Sequence, residues 1–212
     1  MTFVEYFDKI KNVNKVPWLS NNAYAKVQLG TLRLYFYFRC AFVVFYGRVI
    51  MKKVGLIMGS DSDLPIVNKA TAILKELGIP FEAHIYSAHR TPEQVDAFTS
   101  SAYDNGFGAI ICFAGMAAHL AGAVAARTVL PVIGVPCKSS NLDGLDALLS
   151  TVQMPSGIPV ATVAIDGGAN AALLAAQIIA TSDSDLYAKL KAKRVADAQK
   201  VLNKDADLLA KL

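Results

Sequence analysis

Val54-Gly55-Leu56-Ile57-Met58 runs into Gly59-Ser60-Asp61-Ser62-Asp63 and then into Leu64-Pro65-Ile66-Val67-Asn68-Lys69-Ala70-Thr71-Ala72-Ile73-Leu74-Lys75-Glu76-Leu77. The first five residues are a short apolar run closed by glycine, the pattern of a strand buried on both faces. Ile66, Val67, Ala70, Ile73, Leu74 and Leu77 then recur at helical spacing, so residues 64–77 are predicted to form a helix with one apolar face. A strand joined to a helix by a short loop of small and acidic residues is half of a parallel β-α-β unit.

The same alternation repeats downstream. Strand-like runs at 81–86, 109–113, 132–135 and 160–165 are followed by helical patterns at 92–105, 118–127, 142–153 and 169–180. Parallel strands need crossover connections, and helical crossovers cover both sheet faces. The expected fold is therefore α/β, a three-layer α/β/α sandwich around a central parallel sheet, flavodoxin-like. Gly78 and Gly106 fall just past two helices, where a left-handed cap costs glycine least, and Pro92 suits a first helical turn. After Ser182 the chain becomes polar, with Leu186, Leu190, Ala198, Val201, Leu208 and Leu209 spaced as one stripe. Residues 183–212 are expected to be a C-terminal amphipathic helix whose stripe is covered by a neighbouring subunit.

Residues 1–50 differ from the rest. They hold 12 of the 19 aromatic residues, and seven Lys/Arg against two Asp/Glu, whereas residues 51–212 carry 14 against 15. The net charge of +4 thus lies upstream of the α/β pattern, and no basic stripe in the body argues for a nucleic-acid partner. Arg33 and Arg39 interrupt the apolar stretch Leu32 to Tyr46, which leaves far fewer than the ~18 apolar residues of a membrane-spanning helix. A secretory signal is not indicated either, because Glu5 and Asp8 come early and no small-residue cleavage pattern follows. The expectation is an extension outside the fold, with translation beginning at Met51 and residues 51–182 forming the catalytic domain. Cys40, Cys112 and Cys137 lack the paired spacing of a zinc or redox site. They are read as reduced thiols of a cytoplasmic protein, Cys112 as a core residue.

In open α/β sheets ligands bind beyond the carboxyl ends of the strands, so the strand-to-helix loops are the candidate sites. Gly59 to Asp63 puts glycine, hydroxyls and a carboxylate at a helix N-terminus, where free N–H groups favour an anion. Ser60 or Ser62 suits a phosphate and Asp63 suits ribose hydroxyls; the bland alternative is a helix cap by Ser62 or Asp63. In Ser87-Ala88-His89-Arg90-Thr91-Pro92, a titratable imidazole stands beside a guanidinium at a strand end. His89 fits proton transfer. Arg90 fits bidentate phosphate binding, or a surface pair with Glu93. Ala114 to Gly122 is rich in small residues that admit a ligand close to the backbone, through Gly115 for example, and carries His119, whose alternative is a carbonyl-bonded helix residue. His84 lies within a strand and is read as structural. Asp166-Gly167-Gly168 closes the crevice or forms a turn. Neither a dinucleotide fingerprint nor a Walker loop occurs at these turns.

Four stretches stand here in one order: Met58-Gly59-Ser60-Asp61-Ser62-Asp63, Ser87-Ala88-His89-Arg90-Thr91-Pro92, Ala117-Ala118-His119-Leu120 and Val152-Gln153-Met154-Pro155-Ser156-Gly157-Ile158-Pro159-Val160. From about Lys53 to Thr181 the chain resembles the bacterial 5-(carboxyamino)imidazole ribonucleotide mutases, also called the catalytic subunit of phosphoribosylaminoimidazole carboxylase, of purine biosynthesis. The resemblance implies an octamer with sites at subunit contacts and no metal or organic cofactor. It also implies Ser60, Asp63 and Arg90 on the ribose phosphate, Ser62, Ser87 and the 114–119 loop with Gly115 and His119 around the imidazole, and His89 as general acid/base. Two positions depart from the pattern: Ala121 replaces a frequent proline, and the Asp166–Gly168 loop is short.

Two rival readings remain open. One is the related carboxylase that takes free carbon dioxide and uncarboxylated aminoimidazole ribonucleotide. The other is a non-catalytic, flavodoxin-like module that binds a phosphorylated ligand and has no need of His89.

Overall fold

The computed structural model describes residues 51–140 and 142–212. The expectations for residues 1–50, including Cys40 and the Met51 start, lie outside the described residues.

Five strands alternate with helices in the predicted order: β1 (Lys53–Met58), α1 (Leu64–Leu77), β2 (Phe81–Ile85), α2 (Pro92–Ser101), β3 (Phe107–Gly115), α3 (Leu120–Ala125), β4 (Val132–Cys137), α4 (Leu145–Val152), β5 (Ala161–Thr162) and α5 (Gly168–Ala180), followed by α6 (Ser184–Leu209). All neighbouring strands are parallel and lie in the order β2-β1-β3-β4-β5. The chain reverses direction across the sheet at β1/β3, which places the crevice above the ends of those two strands.

Alternating strand residues feed two cores. Val54, Leu56, Met58, Ala109, Ile111, Phe113, Ile133 and Val135 pack against α1, α5 and the start of α6. Ile57, Ile110, Cys112 and Val132 pack against α2 and α3. The central strands β1, β3 and β4 are buried on both faces as expected, but β2 is not: Ala83 and Ile85 are exposed. An edge strand has helices only partly above it, and here one rim stays open. His84 is held structurally, stacked on Tyr86 at 4.7 Å and edge-on to Phe98 at 5.2 Å.

Loop chemistry explains the boundaries. Gly78 ends α1 at φ 73° and donates its N–H to the Leu74 and Lys75 carbonyls, the left-handed cap glycine adopts without steric cost. Pro92 opens α2, where its missing N–H is not needed. The predicted helix 142–153 is instead a short 3-10 turn (Leu142–Gly144) leading into α4, because Leu142, Asp143 and Gly144 all have positive φ.

The amphipathic tail divides its stripe. Asp183 caps α6 by accepting from the Leu186 N–H at 2.9 Å. Leu186 is fully buried and Leu190 packs on the same core. Lys189 donates to the Leu77 carbonyl at 3.1 Å, and Lys193 pairs with Glu76 at 2.9 Å. The first turns of the stripe therefore belong to the domain itself, whereas Val195, Val201, Leu202, Leu208 and Leu209 further along are exposed. Among the described residues no helix is long and apolar enough to cross a membrane.

Candidate active site

The first crevice loop is tied to the sheet centre by Gly59, whose N–H donates to the Phe113 carbonyl at 3.1 Å. Ser60 is extended (φ −151°, ψ 158°), and its Oγ accepts from the Ser62 N–H at 3.3 Å. Ser60 thus caps a short 3-10 turn, Asp61–Asp63, and Asp63 occupies the N-cap position of α1. Asp63 makes no side-chain cap bond to α1. Its own N–H donates to the Ser60 carbonyl at 3.3 Å. Asp63 is also one of few buried charged residues, only 8% exposed. Burial pushes its carboxyl above the usual carboxylate range, helped by Asp166 and Asp61 and opposed by hydrogen bonds from Ser60 and the Cys137 thiol. Ser62 itself is exposed.

The second loop is locked by a residue the sequence reading passed over. Thr91 Oγ1 accepts from the Ser87 N–H at 2.8 Å and donates to the Ser87 carbonyl at 3.1 Å, while the Thr91 N–H donates to that carbonyl at 2.8 Å. Ser87 Oγ in turn accepts from the Arg90 N–H at 3.3 Å. The hydroxyls at both ends, four residues apart, were the available signal. This closed turn presents His89 and Arg90 at its tip, both exposed. Arg90 does not pair with Glu93; its Nη2 donates to the Gly59 carbonyl at 2.6 Å and joins the first two loops.

The third loop begins where β3 ends. A Cβ on Gly115 would stand 3.2 Å from the Cys137 carbonyl, so only glycine passes this close to β4 without displacing it. Met116 follows at φ 54°. The His119 N–H donates to the Ala117 carbonyl at 2.8 Å, and its ring does not cap α3. Instead His119 Nδ1 lies 3.2 Å from His89 Nε2. The two rings meet edge-on, 5.3 Å between centroids.

Below these loops, Asp166 at φ 56° donates its N–H to the Pro136 carbonyl at 2.9 Å. Its Oδ1 accepts from the Lys138 N–H at 2.9 Å. The Asp166–Gly168 loop thereby folds onto the end of β4, next to Cys137 and Asp63. Cys112 and Cys137 are both buried, and burial drives both thiols up, out of reach of the thiolate at neutral pH. Cys112 is the core residue expected. The nearness of Cys137 to Asp63 could not be read from spacing, since 74 positions of chain and two layers of fold separate them. Among the described residues no three His, Cys, Asp or Glu side chains converge as a metal site.

An imidazole pair, a guanidinium and a carboxylate thus gather over β1 and β3, on three different loops. The AIR carboxylase family profile matches residues 53–200, most of the chain. The chain belongs to the AIR carboxylase family. Among its relatives, the N5-carboxyaminoimidazole ribonucleotide mutase of Pyrococcus horikoshii is 58% identical over 65% of this chain and 78% of its own length. The mutase of that name from Thermotoga maritima is 51% identical over 73% of this chain and 90% of its own length. The phosphoribosylaminoimidazole carboxylase of Saccharomyces cerevisiae is 54% identical over 71% of this chain, which spans only 26% of that longer protein. Among solved family members, Treponema denticola PurE superposes with a TM-score of 0.68 at 33% identity, covering 74% of this chain and 98% of its own. The flavodoxin-like, parallel α/β/α reading of the sequence holds in this family.

Proposed function

We infer that this family member is an N5-carboxyaminoimidazole ribonucleotide mutase of purine biosynthesis, an isomerase that moves a carboxylate from the exocyclic nitrogen of its substrate to ring carbon 4. The length match supports mutase over carboxylase: the chain spans 78% and 90% of two mutases but 26% of the yeast carboxylase.

The observation that carries the mechanism is the His89–His119 contact at 3.2 Å. A proton on either nitrogen can bridge the two rings, and with Nε2 of His89 turned to His119 it is Nδ1 of His89 that would act on the substrate. Protonated His89 gives its proton to the exocyclic nitrogen as the N–C bond to the carboxylate breaks and carbon dioxide is released. The electron-rich C4 then attacks that carbon dioxide, forming the new C–C bond. Neutral His89 removes the C4 proton and regains its starting charge. Each turnover needs one group that donates and accepts near neutral pH, and a pocket that keeps carbon dioxide beside the ring.

Arg90 and Ser60 would hold the phosphate and Asp63 the ribose; Ser62, Ser87, Gly115 and His119 would surround the imidazole. Arg90 already bridges to the Gly59 carbonyl, which sets its planar fork at the mouth of a helix N-terminus. No cofactor is required by this chemistry. The exposed apolar face of Leu142, Leu145, Leu149 and Val152, with the outer stripe of α6, supports assembly into a homo-octamer, and the reduced thiols suit a cytoplasmic setting.

Assay with N5-carboxyaminoimidazole ribonucleotide and, separately, with aminoimidazole ribonucleotide plus bicarbonate tests the reading. Faster turnover of the first is expected; preference for the second would make the chain a carboxylase, and binding without turnover a ligand-binding module.

A further inference from the structure

The third crevice loop carries one residue that the packing of the fold does not explain. Met116 has φ 54°, the left-handed region that side chains of its kind rarely adopt and that stores strain when they do. Nothing in the core offsets that strain, because the residue is 54% exposed. The backbone on either side is fixed. Gly115 runs against β4, where an added Cβ would stand 3.2 Å from the Cys137 carbonyl, and the His119 N–H closes onto the Ala117 carbonyl at 2.8 Å. A long apolar side chain is thus held out on a strained backbone, three residues from the ring that touches His89.

The chemistry inferred for the crevice gives that side chain a task. Ser60, Ser62, Ser87, His89, Arg90 and His119, side chains assigned to it above, are all polar. Polar walls hold a phosphate, a ribose and a proton, but they also hold water, and carbon dioxide carries neither a charge nor a net dipole for them to grip. Retaining it beside the ring needs an apolar surface that displaces water. Methionine suits the position: unbranched at Cβ, it tolerates the left-handed backbone better than valine or isoleucine, and its rotatable bonds and polarizable sulfur let it fold over a ligand. We propose that Met116 is a specificity-determining residue: its thioether side chain covers the carbon dioxide formed in the crevice and keeps it for capture by C4, so that the carbon lost from the exocyclic nitrogen is the carbon found on the ring. This rests on the mutase reading above, and adds to it the residue that stops exchange with solvent.

The test follows N5-carboxyaminoimidazole ribonucleotide in isotopically labelled bicarbonate, with carbonic anhydrase present to keep dissolved carbon dioxide at equilibrium. At early turnover, the share of product carrying the label and the free aminoimidazole ribonucleotide released, each above the value without protein, report the carbon dioxide that escapes. The unaltered protein is expected to give mostly unlabelled product. Met116→Gly removes the cover and adopts the left-handed backbone freely, and Met116→Asn replaces the cover with a polar group that also tolerates that backbone. Both should raise the labelled share about 3- to 10-fold, the ratio expected from losing one apolar contact of this size, with no fall in melting temperature. Met116→Leu, apolar and unbranched at Cβ, should stay near the unaltered protein. An unchanged labelled share in the Gly and Asn variants overturns the proposal and leaves the mutase reading standing. An equal rise in the Leu variant overturns it too, since the shape of the loop rather than its apolar cover would then be responsible. So does a smaller assembly by light scattering in the Asn variant, which places the side chain at a contact between copies. Fully labelled product from the unaltered protein, or no product at all, sinks the mutase reading and the proposal with it.

Discussion

His89 Nε2 and His119 Nδ1 are 3.2 Å apart with their ring planes 82° from each other. The contact engages Nε2 of His89 and leaves its second ring nitrogen for a substrate. Two loops from different strands are needed to make it, one after β2 and one after β3.

His89→Asn should therefore abolish turnover with the fold intact. An amide can keep a hydrogen bond to His119 but cannot cycle a proton, so kcat is expected to fall by at least ~100-fold, the range for a positioned acid/base. Melting temperature and calorimetric binding of the product ribonucleotide should stay near those of the unaltered protein. A loss of only a few-fold removes His89 from proton transfer.

Arg90→Ala should act mainly on affinity. The guanidinium ties the second loop to the Gly59 carbonyl at 2.6 Å and is assigned to the phosphate, an interaction equally present before and during reaction. KM should rise by more than kcat falls, the sign of binding lost uniformly. Normal KM with slow chemistry would reassign Arg90 to the reacting end.

What could be read from the sequence depended on range. Strand and helix periods, Gly78, Pro92 and the serine-rich loop are local, and the order of elements follows them, with shifted bounds at the predicted helix 142–153 and strand 160–165. The pairing of His89 with His119 spans 30 positions, and the approach of Cys137 to Asp63 spans 74; both arise only when the strand order brings loop ends together. Capping was only partly legible, for a different reason: Asp63 takes the N-cap position of α1 without a side-chain bond, and Ser60 caps the 3-10 turn before it. Ser60, Ser62 and Asp63 are all good caps by type, and which of them makes a side-chain bond is decided by backbone geometry that the residue types do not express. The open face of β2 likewise follows from its edge position, since Ala83 and Ile85 are as apolar as the residues of a covered strand.

Asp63→Asn should stabilise the protein at neutral pH. Burial raises the Asp63 carboxyl above its ordinary value of 3.8, so the folded state binds this proton more tightly than the unfolded chain. A raised carboxyl contributes stability below its unfolded value and loses it as pH rises through the folded one. At pH 7 the buried charge is thus a cost that the amide removes. Thermal melts of the two proteins should differ most near neutrality, with the Asn variant higher, and converge below about pH 3.8, the unperturbed value. A gap that persists unchanged into acid would mean the effect is not ionisation.

Gly168→Ala should weaken the fold without touching the chemistry. Gly168 opens α5 and is buried against α1, where an added Cβ would collide with the Ile66 carbonyl. A backbone oxygen cannot turn aside as a flexible side chain can, so α5 must shift, at about 1–3 kcal/mol, the usual cost of overpacking. Urea titration should show a lower midpoint, with kcat and KM preserved in the folded fraction. An unchanged midpoint would show that α1 and α5 have slack at this contact.

A chain beginning at Met51 should fold and turn over as the full chain does. The parallel sheet from β1 at Lys53 to β5 is complete within the described residues, and the family match begins at residue 53. The aromatic and basic excess ends before Met51, and Leu34 to Phe38 and Cys40 to Tyr46 are apolar windows with Arg39 alone between them. Such windows favour intermolecular strand pairing when exposed. Removing residues 1–50 should therefore leave melting temperature and kcat unchanged and reduce light scattering on concentration. A true structural element would behave in the opposite way: its loss exposes core and lowers the melting temperature, and that outcome, or a clear fall in activity, would place the segment within the working fold.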